Sequence, residues 1–334
     1  MEKRFTFHTT EKIAQARLAF RQLTISGPED GDRFFEAYCP GNTINIADRP
    51  YERFEDYEIL LKIIRDDDQT KYEQIHKGTP FYFLAWTAFD LKNYEKAVFY
   101  MDAAISEDMR KNPNGWLNNP ASQFLTLNPQ GDQAAIRITK HLKNKILAEL
   151  SRFNGVSRQS CISAEDFVEK FVKEFVKQKK YHSIITAFYS FILEFEDREK
   201  ELLLRSIEGG SIEPTLTYLF KGGLIFESLL KYLYPKEDNR TDDCKTLGDI
   251  FNTTNFKSDF ITGIKTNANT LQEIVKTIGN DLQTAFNTTS KLRNTTGHNL
   301  VWDDVFNKSD NFKILYEQQV NAILYIIQKK FLST

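Results

Sequence analysis

The sequence predicts an all-α protein made of two helical parts, and three observations carry that expectation. Apolar residues recur at three- and four-residue spacing over long stretches. The 9 prolines and 15 glycines gather at a few points between those stretches, so the chain reads as helices punctuated by turns. With 334 residues, 41% of them apolar and 27% charged, the chain has the balance of a globular protein and the length for two ordinary cores.

Taken in order, a first helix begins after Thr10, with Ile13, Ala16, Leu18, Ala19 and Leu23 as its apolar face, and stops before Ser26-Gly27-Pro28. From Phe34 to Pro50 turn formers dominate and define no element. Helical periodicity resumes at Tyr57, Leu60, Leu61 and Ile64. Between Thr79 and Asp108, Phe81, Leu84, Ala85 and Ala88 are followed, after an Asp90-to-Asn93 turn, by Tyr94, Ala97, Met101 and Ala104. Two short amphipathic helices back to back fit this pattern, with alanines at the crossing. The pair resembles one tetratricopeptide repeat, although no clear second copy follows at the repeat's own period. An ordinary helical hairpin is the alternative reading.

From Lys111 to Gly131 asparagine, proline and glycine recur, which predicts a long surface excursion. A helix from about Gln133 to Phe153 then reaches Asn154-Gly155, a helix stop and the expected domain boundary. The domains expected are thus residues 1–155 and 160–334.

The second part opens with Ser163-Ala164-Glu165-Asp166, a serine cap with acids in the first turn, ahead of Phe167, Phe171, Val172, Phe175 and Val176. A second helix from about Tyr181 carries Ile184, Ile185, Phe188, Phe191 and Ile192, its continuation ending at Gly209-Gly210. Pro214 starts a third, whose stripe of Leu216, Leu219, Phe220, Gly223, Phe226, Leu230 and Leu233 includes Glu227. A carboxylate there must meet a cation or lie at an open edge. A helix from about Thr270 to Lys291, with a candidate break at Gly279-Asn280, precedes a last one from Ser309 or Asp310 to Phe331. The second part is therefore expected to be a helical bundle.

Between those last two helices the sequence places Arg293-Asn294-Thr295-Thr296-Gly297-His298. As a bare pattern an arginine shortly before a histidine is weak evidence. The chemistry nonetheless suits RNA cleavage. A histidine near neutrality can take a proton from a ribose 2′-hydroxyl or give one to the departing 5′-oxygen. An arginine can clamp the phosphate and offset developing charge. The plain alternative is helix-end chemistry, with Arg293 facing a helix C-terminus and His298 a capping or core residue.

The stretch resembles the Arg-x(4–6)-His motif of HEPN domains, and Phe220-Lys221-Gly222-Gly223-Leu224-Ile225-Phe226-Glu227-Ser228-Leu229-Leu230-Lys231, followed by Thr246-Leu247-Gly248, is similar to an earlier helix and loop of that family. The likeness covers about residues 160 to 334. It implies a HEPN-like bundle after the tetratricopeptide-like part, and metal-independent endoribonuclease activity of a defence or toxin effector. It also implies a homodimer through the C-terminal domain, with Arg293 and His298 acting from two protomers. Asn294 would orient the phosphate or its neighbour, and Glu227 would hold Arg293 or tune His298.

Other features narrow the classes. A net charge of −2 means that any RNA contact must come from a local patch rather than a bulk field. Lys177 to Lys180 reads more simply as a solvated helix end. Cys39, Cys161 and Cys244 are too scattered for a disulfide framework or zinc cluster. His8, His76, His141 and His182 suggest no ligand set, and no Gly-x-Gly-x-x-Gly or Walker sequence occurs. Neither cofactor nor metal is expected. No apolar run predicts a membrane segment or a signal peptide, so a cytoplasmic protein without a membrane partner is the expectation. The rival function is a non-catalytic scaffold or protein-binding module that uses the bundle for dimerisation, with a peptide or protein partner at the N-terminal domain. A regulator binding a small molecule or a nucleotide-transfer partner has no residue signature.

Overall fold

A computed structural model describes residues 9–38, 50–128, 133–157, 161–204, 212–236, 243–260, 271–276, 278–279, 281–296 and 309–332. Among the described residues the chain is all-α, with no strand beyond a lone antiparallel bridge between Lys236 and Asp243. No described helix is long and apolar enough to cross a membrane. Its internal contacts define two units, residues 1–143 and 144–334.

The first unit comprises α1 (Thr10–Gln22), α2 (Pro28–Tyr38), α3 (Pro50–Asp67), α4 (Gln69–Gln74), α5 (Gly78–Asp90), α6 (Tyr94–Lys111), α7 (Pro120–Leu125) and the start of α8 (Gln133–Val156). The division falls inside α8, whereas Asn154-Gly155 lies in its final turn. Side-chain caps start several of these helices: Thr9 accepts from the Lys12 amide, Asp68 from that of Lys71 and Asn93 from that of Lys96. In α1 Ala16 and Phe20 are buried while Leu18 is 56% exposed, so the expected apolar face is rotated toward Phe20.

The hairpin of α5 and α6 forms the most extensive helix pairing among the described residues of this unit, with Leu84, Ala85, Ala88, Tyr94, Ala97, Met101 and Ala104 buried. Lys92 takes φ 57° at the turn, and the amides of Lys92 and Asn93 return to the carbonyls of Phe89 and Ala88. This is a Schellman closure with a lysine where glycine is favoured.

The expected surface excursion is corrected by the structure. Pro120 opens α7, and Trp116, Ala121, Phe124, Leu125 and Leu127 are buried. Proline at a first helical position is permissive, and the apolar residues outweigh the turn formers around them. Likewise α2 continues through Phe34 and Phe35, both buried; the rest of the unassigned stretch, residues 39–49, lies outside the described residues.

Ahead of α5 the chain buries two adjacent bases. His76 Nε2 lies 3.1 Å from Asp108 Oδ1 and its Nδ1 lies 3.6 Å from Asp32 Oδ1. Lys77 Nζ lies 3.3 Å from Glu107 and donates to the carbonyls of Tyr72 and Ile75. A Cβ at Gly78 would meet the His76 ring at 2.7 Å, and one at Gly31 would meet the His76 carbonyl oxygen at 2.4 Å. The cluster therefore joins α2, α5 and α6 at close range.

Burial opposes the charge on His76, but the hydrogen bonds and charges of Asp108 and Asp32 outweigh it and take the imidazole up to about 9. Because this exceeds the ordinary 6.5, protonated His76 stabilises the fold fully below about pH 6.5, and that contribution is lost as pH rises through about 9. Circular-dichroism melts across this range are expected to show a falling melting temperature above neutrality, with a shallower fall in His76→Gln. Equal slopes in the two proteins would remove His76 from the account.

The second unit begins with the remainder of α8. A helical run follows, made of α9 (Ala164–Asp166), a π-helical segment (Phe167–Val172) and α10 (Lys173–Val176). The Ser163 hydroxyl caps this run by accepting from the Asp166 amide at 3.0 Å. A 3-10 turn (Lys179–Tyr181) leads into α11 (His182–Leu204). Then come α12 (Glu213–Leu233), α13 (Leu247–Asn252), α14 (Thr254–Asp259), α15 (Leu271–Lys276), α16 (Leu282–Thr296) and α17 (Ser309–Ile327), which ends in a π-helical segment (Gln328–Leu332). Gly209-Gly210 lies outside the described residues.

Helices α11, α12, α16 and α17 pack against one another as a bundle. Its core holds Phe188, Leu219, Phe226, Leu230, Phe286, Leu315 and Ile323, all buried. Aromatic pairs lock it laterally, including Phe195 with Tyr316 at 3.9 Å and Phe191 with Tyr218 at 4.5 Å.

Candidate active site

Helix α16 starts just after Asp281, whose carboxylate accepts from the Thr284 amide and hydroxyl at 2.8 and 2.7 Å. Its break from α15 falls where Gly279 predicts one. Its far end is longer than predicted, running past Lys291 to Thr296. Asparagine and threonine are mediocre helix formers, but here two threonine hydroxyls turn inward. Thr289 donates to the Ala285 carbonyl at 2.9 Å and Thr296 to that of Leu292 at 2.6 Å. Arg293 and Asn294 accordingly lie in the last turn of α16 rather than in a connection between helices. His298, two positions beyond Thr296, lies outside the described residues.

What positions Arg293 is the sequence of α12. A Cβ on Gly223 would sit 2.7 Å from the Arg293 Cβ and 2.9 Å from its Cα, so the two helices meet through bare backbone. The neighbouring Gly222 serves another approach: a Cβ there would meet Gln319 Oε1 at 2.6 Å and Phe191 Cζ at 2.7 Å. Gln319 also donates to the Leu219 carbonyl at 2.6 Å. The two glycines thus let α12 be gripped closely from two directions.

Glu227 lies one helical turn beyond Gly223 on the same face. The backbone of Arg293 rests on Gly223 while its guanidinium reaches the Glu227 carboxylate, Nε donating to Oε2. Glu227 is only 3% exposed. Lys231 Nζ stands 2.8 Å from Oε1, in ion-pair contact but outside hydrogen-bond alignment. One buried carboxylate therefore holds two cations. Arg293 Nη1 donates to Asn294 Oδ1 at 3.1 Å, and Nη2 has no partner among the described residues.

Three sequence-predicted residues, Arg293, Asn294 and Glu227, are brought together in this way. Lys231 and the glycine pair were not anticipated as parts of the site. Their signals were present, since Glu227 and Lys231 have the i,i+4 ion-pair spacing, and adjacent glycines inside a helix cost stability unless packing requires them. Among the described residues no group of three or more histidine, cysteine, aspartate or glutamate side chains is arranged to hold a metal.

Among the described residues the arrangement fixes a guanidinium with one edge engaged and sets two cations against one carboxylate. Such a group can take a phosphate. Comparisons with protein-family models, with curated proteins and with solved structures found no match to this chain.

Gly223→Ala is expected to force α12 and α16 apart and cost about 1–3 kcal/mol in urea unfolding; an unchanged midpoint would refute the close approach. In a double-mutant cycle Glu227→Gln and Arg293→Gln are expected to couple by about 1 kcal/mol or more. Additive effects would mean that the pair carries no mutual stabilisation.

Proposed function

We propose that the C-terminal unit is a metal-independent endoribonuclease of the HEPN type, with Arg293 as the phosphate clamp and His298 as the general acid and base. The observation that supports this most is the fixed guanidinium, held on one edge by buried Glu227, oriented by Asn294, and with Nη2 unpartnered among the described residues. A residue kept only for helix-end compensation has no need of a buried carboxylate counterion.

In the reaction so read, His298 removes the proton of a ribose 2′-hydroxyl. The resulting oxygen attacks the adjacent phosphorus, and the bond to the 5′-oxygen breaks as that oxygen receives a proton. A 2′,3′-cyclic phosphate and a free 5′-hydroxyl result. Arg293 stabilises the charge gathering on the non-bridging oxygens. The site forms across a homodimer, so that Arg293 of one protomer works with His298 of the other. The N-terminal helices serve as the surface for a protein or peptide partner or an activating signal, as suits a defence or toxin effector acting on cytoplasmic RNA.

The test is cleavage of mixed single-stranded RNA with EDTA present. His298→Ala is expected to slow cleavage about 10²- to 10⁴-fold, and Arg293→Ala about 10²- to 10³-fold, with dimerisation unchanged in both. Absence of cleavage, or cleavage indifferent to both substitutions, would favour the non-catalytic scaffold, in which the Glu227–Arg293 pair is purely structural.

A further inference from the structure

The helical run from Ala164 to Val176 treats its lysines in two ways. Lys170 pairs with Asp166 at 2.9 Å and Lys173 with Glu169 at 2.6 Å, each four residues after its carboxylate. The pattern then stops. Four positions before Lys177 stands Lys173, and before Lys179 and Lys180 stand Phe175 and Val176. Glu174, the nearest acid in sequence, accepts instead from Gln178 at 2.9 Å. Lys177, Lys179 and Lys180 are exposed, and none is paired with a carboxylate among the described residues. In a chain of net charge −2, three adjacent uncompensated cations form a local positive surface.

Aromatic rings adjoin that surface. Lys180 Nζ lies 4.5 Å from the centre of the Tyr181 ring, and Tyr181 meets Tyr232 edge to face at 4.5 Å. Buried Phe175 supports both rings, at 5.8 and 4.7 Å, so the partly exposed tyrosines are packed from beneath. Tyr232 follows Lys231, the lysine that shares Glu227 with Arg293. The lysines and tyrosines therefore gather at the end of α12 that also carries Lys231.

We propose that Lys177, Lys179 and Lys180, with Tyr181, Tyr232 and Lys231, form a track that binds single-stranded RNA and leads it to Arg293. The choice of RNA rests on the endoribonuclease reading. The single strand follows from the tyrosines, because unpaired bases present ring faces that can stack on aromatic side chains, whereas a duplex keeps its bases stacked on each other. A lipid surface fits less well: among the described residues from Ala164 to Tyr181 no large apolar side chain is exposed to enter a bilayer.

The test uses the full chain carrying His298→Ala, so that binding is read without cleavage, and a short fluorescent single-stranded RNA of mixed sequence titrated at several salt concentrations. Changing Lys177, Lys179 and Lys180 together to glutamine is expected to raise Kd about tenfold or more and to reduce the salt slope of log Kd by about 2, with the melting temperature unchanged. Tyr181→Leu is expected to weaken binding about fivefold or more. A Kd within about twofold of the parent with an unaltered slope would overturn the track, as would equal affinity for duplex RNA, no RNA binding, or binding to anionic vesicles instead. The two readings separate cleanly. Lysine-dependent RNA binding without cleavage by the unmodified protein would remove the nuclease and keep the track; cleavage with unchanged KM in the lysine variant would do the reverse.

Discussion

The candidate site depends on the contact between bare backbone at Gly223 and the last turn of α16. Without a Cβ on α12 at that point, the Arg293 backbone comes close enough for its side chain to lie along α12 and end on Glu227 one turn away. Any larger residue would lift the arginine and separate it from a carboxylate that is almost fully buried. A buried carboxylate deprived of its cations is costly, on the order of several kcal/mol. The glycine, the glutamate and the arginine therefore act as one constraint, and Gly222 with Gln319 holds the other side of the same helix.

The first unit solves a related problem with different chemistry. Its α5 and α6 hairpin crosses on alanines, which give closeness but little polar specificity. Directional contacts come from the turn ahead of α5, where His76 and Lys77 are buried against Asp108, Asp32 and Glu107. Each base meets acid from α6 or α2, so a shift in the helices would strand a buried charge. In both units, then, a close helix contact is accompanied by a buried ionic one.

The sequence made the helical class and most helix cores legible, because periodicity reports burial directly. What it hid has specific causes. The end of α7 is closed by Leu127 at positive φ, where no glycine marks the stop. The length of α16 was hidden because asparagine and threonine read as turn formers, while the inward bonds of the Thr289 and Thr296 hydroxyls become visible only in the fold. Leu18 and Phe20 exchange roles in α1 because a helix's direction of burial is set by its neighbours. The Arg293–Glu227 partnership was legible as a question: a carboxylate on an apolar stripe demands a cation, but 66 residues separate the partners, and spacing alone cannot choose among cations so distant. His298 remains a sequence-level assignment, since it lies outside the described residues.

The balance of charge around Glu227 bears on what the site can do. A single carboxylate between Arg293 and Lys231 satisfies burial without cancelling the local positive charge. Were the acids and bases matched, an incoming phosphate would have to displace the carboxylate and bear its desolvation cost. With two cations on one acid, the guanidinium keeps, among the described residues, an edge that the proposed phosphate clamp would use, while the carboxylate fixes its direction. Rigid placement matters because a clamp acts through geometry: binding energy counts toward rate only when the group is already aimed where charge develops. A local excess of this kind also fits a protein whose overall charge is near neutral, since attraction for a polyanion then operates at short range, near the site, and leaves the rest of the surface without a bulk positive field.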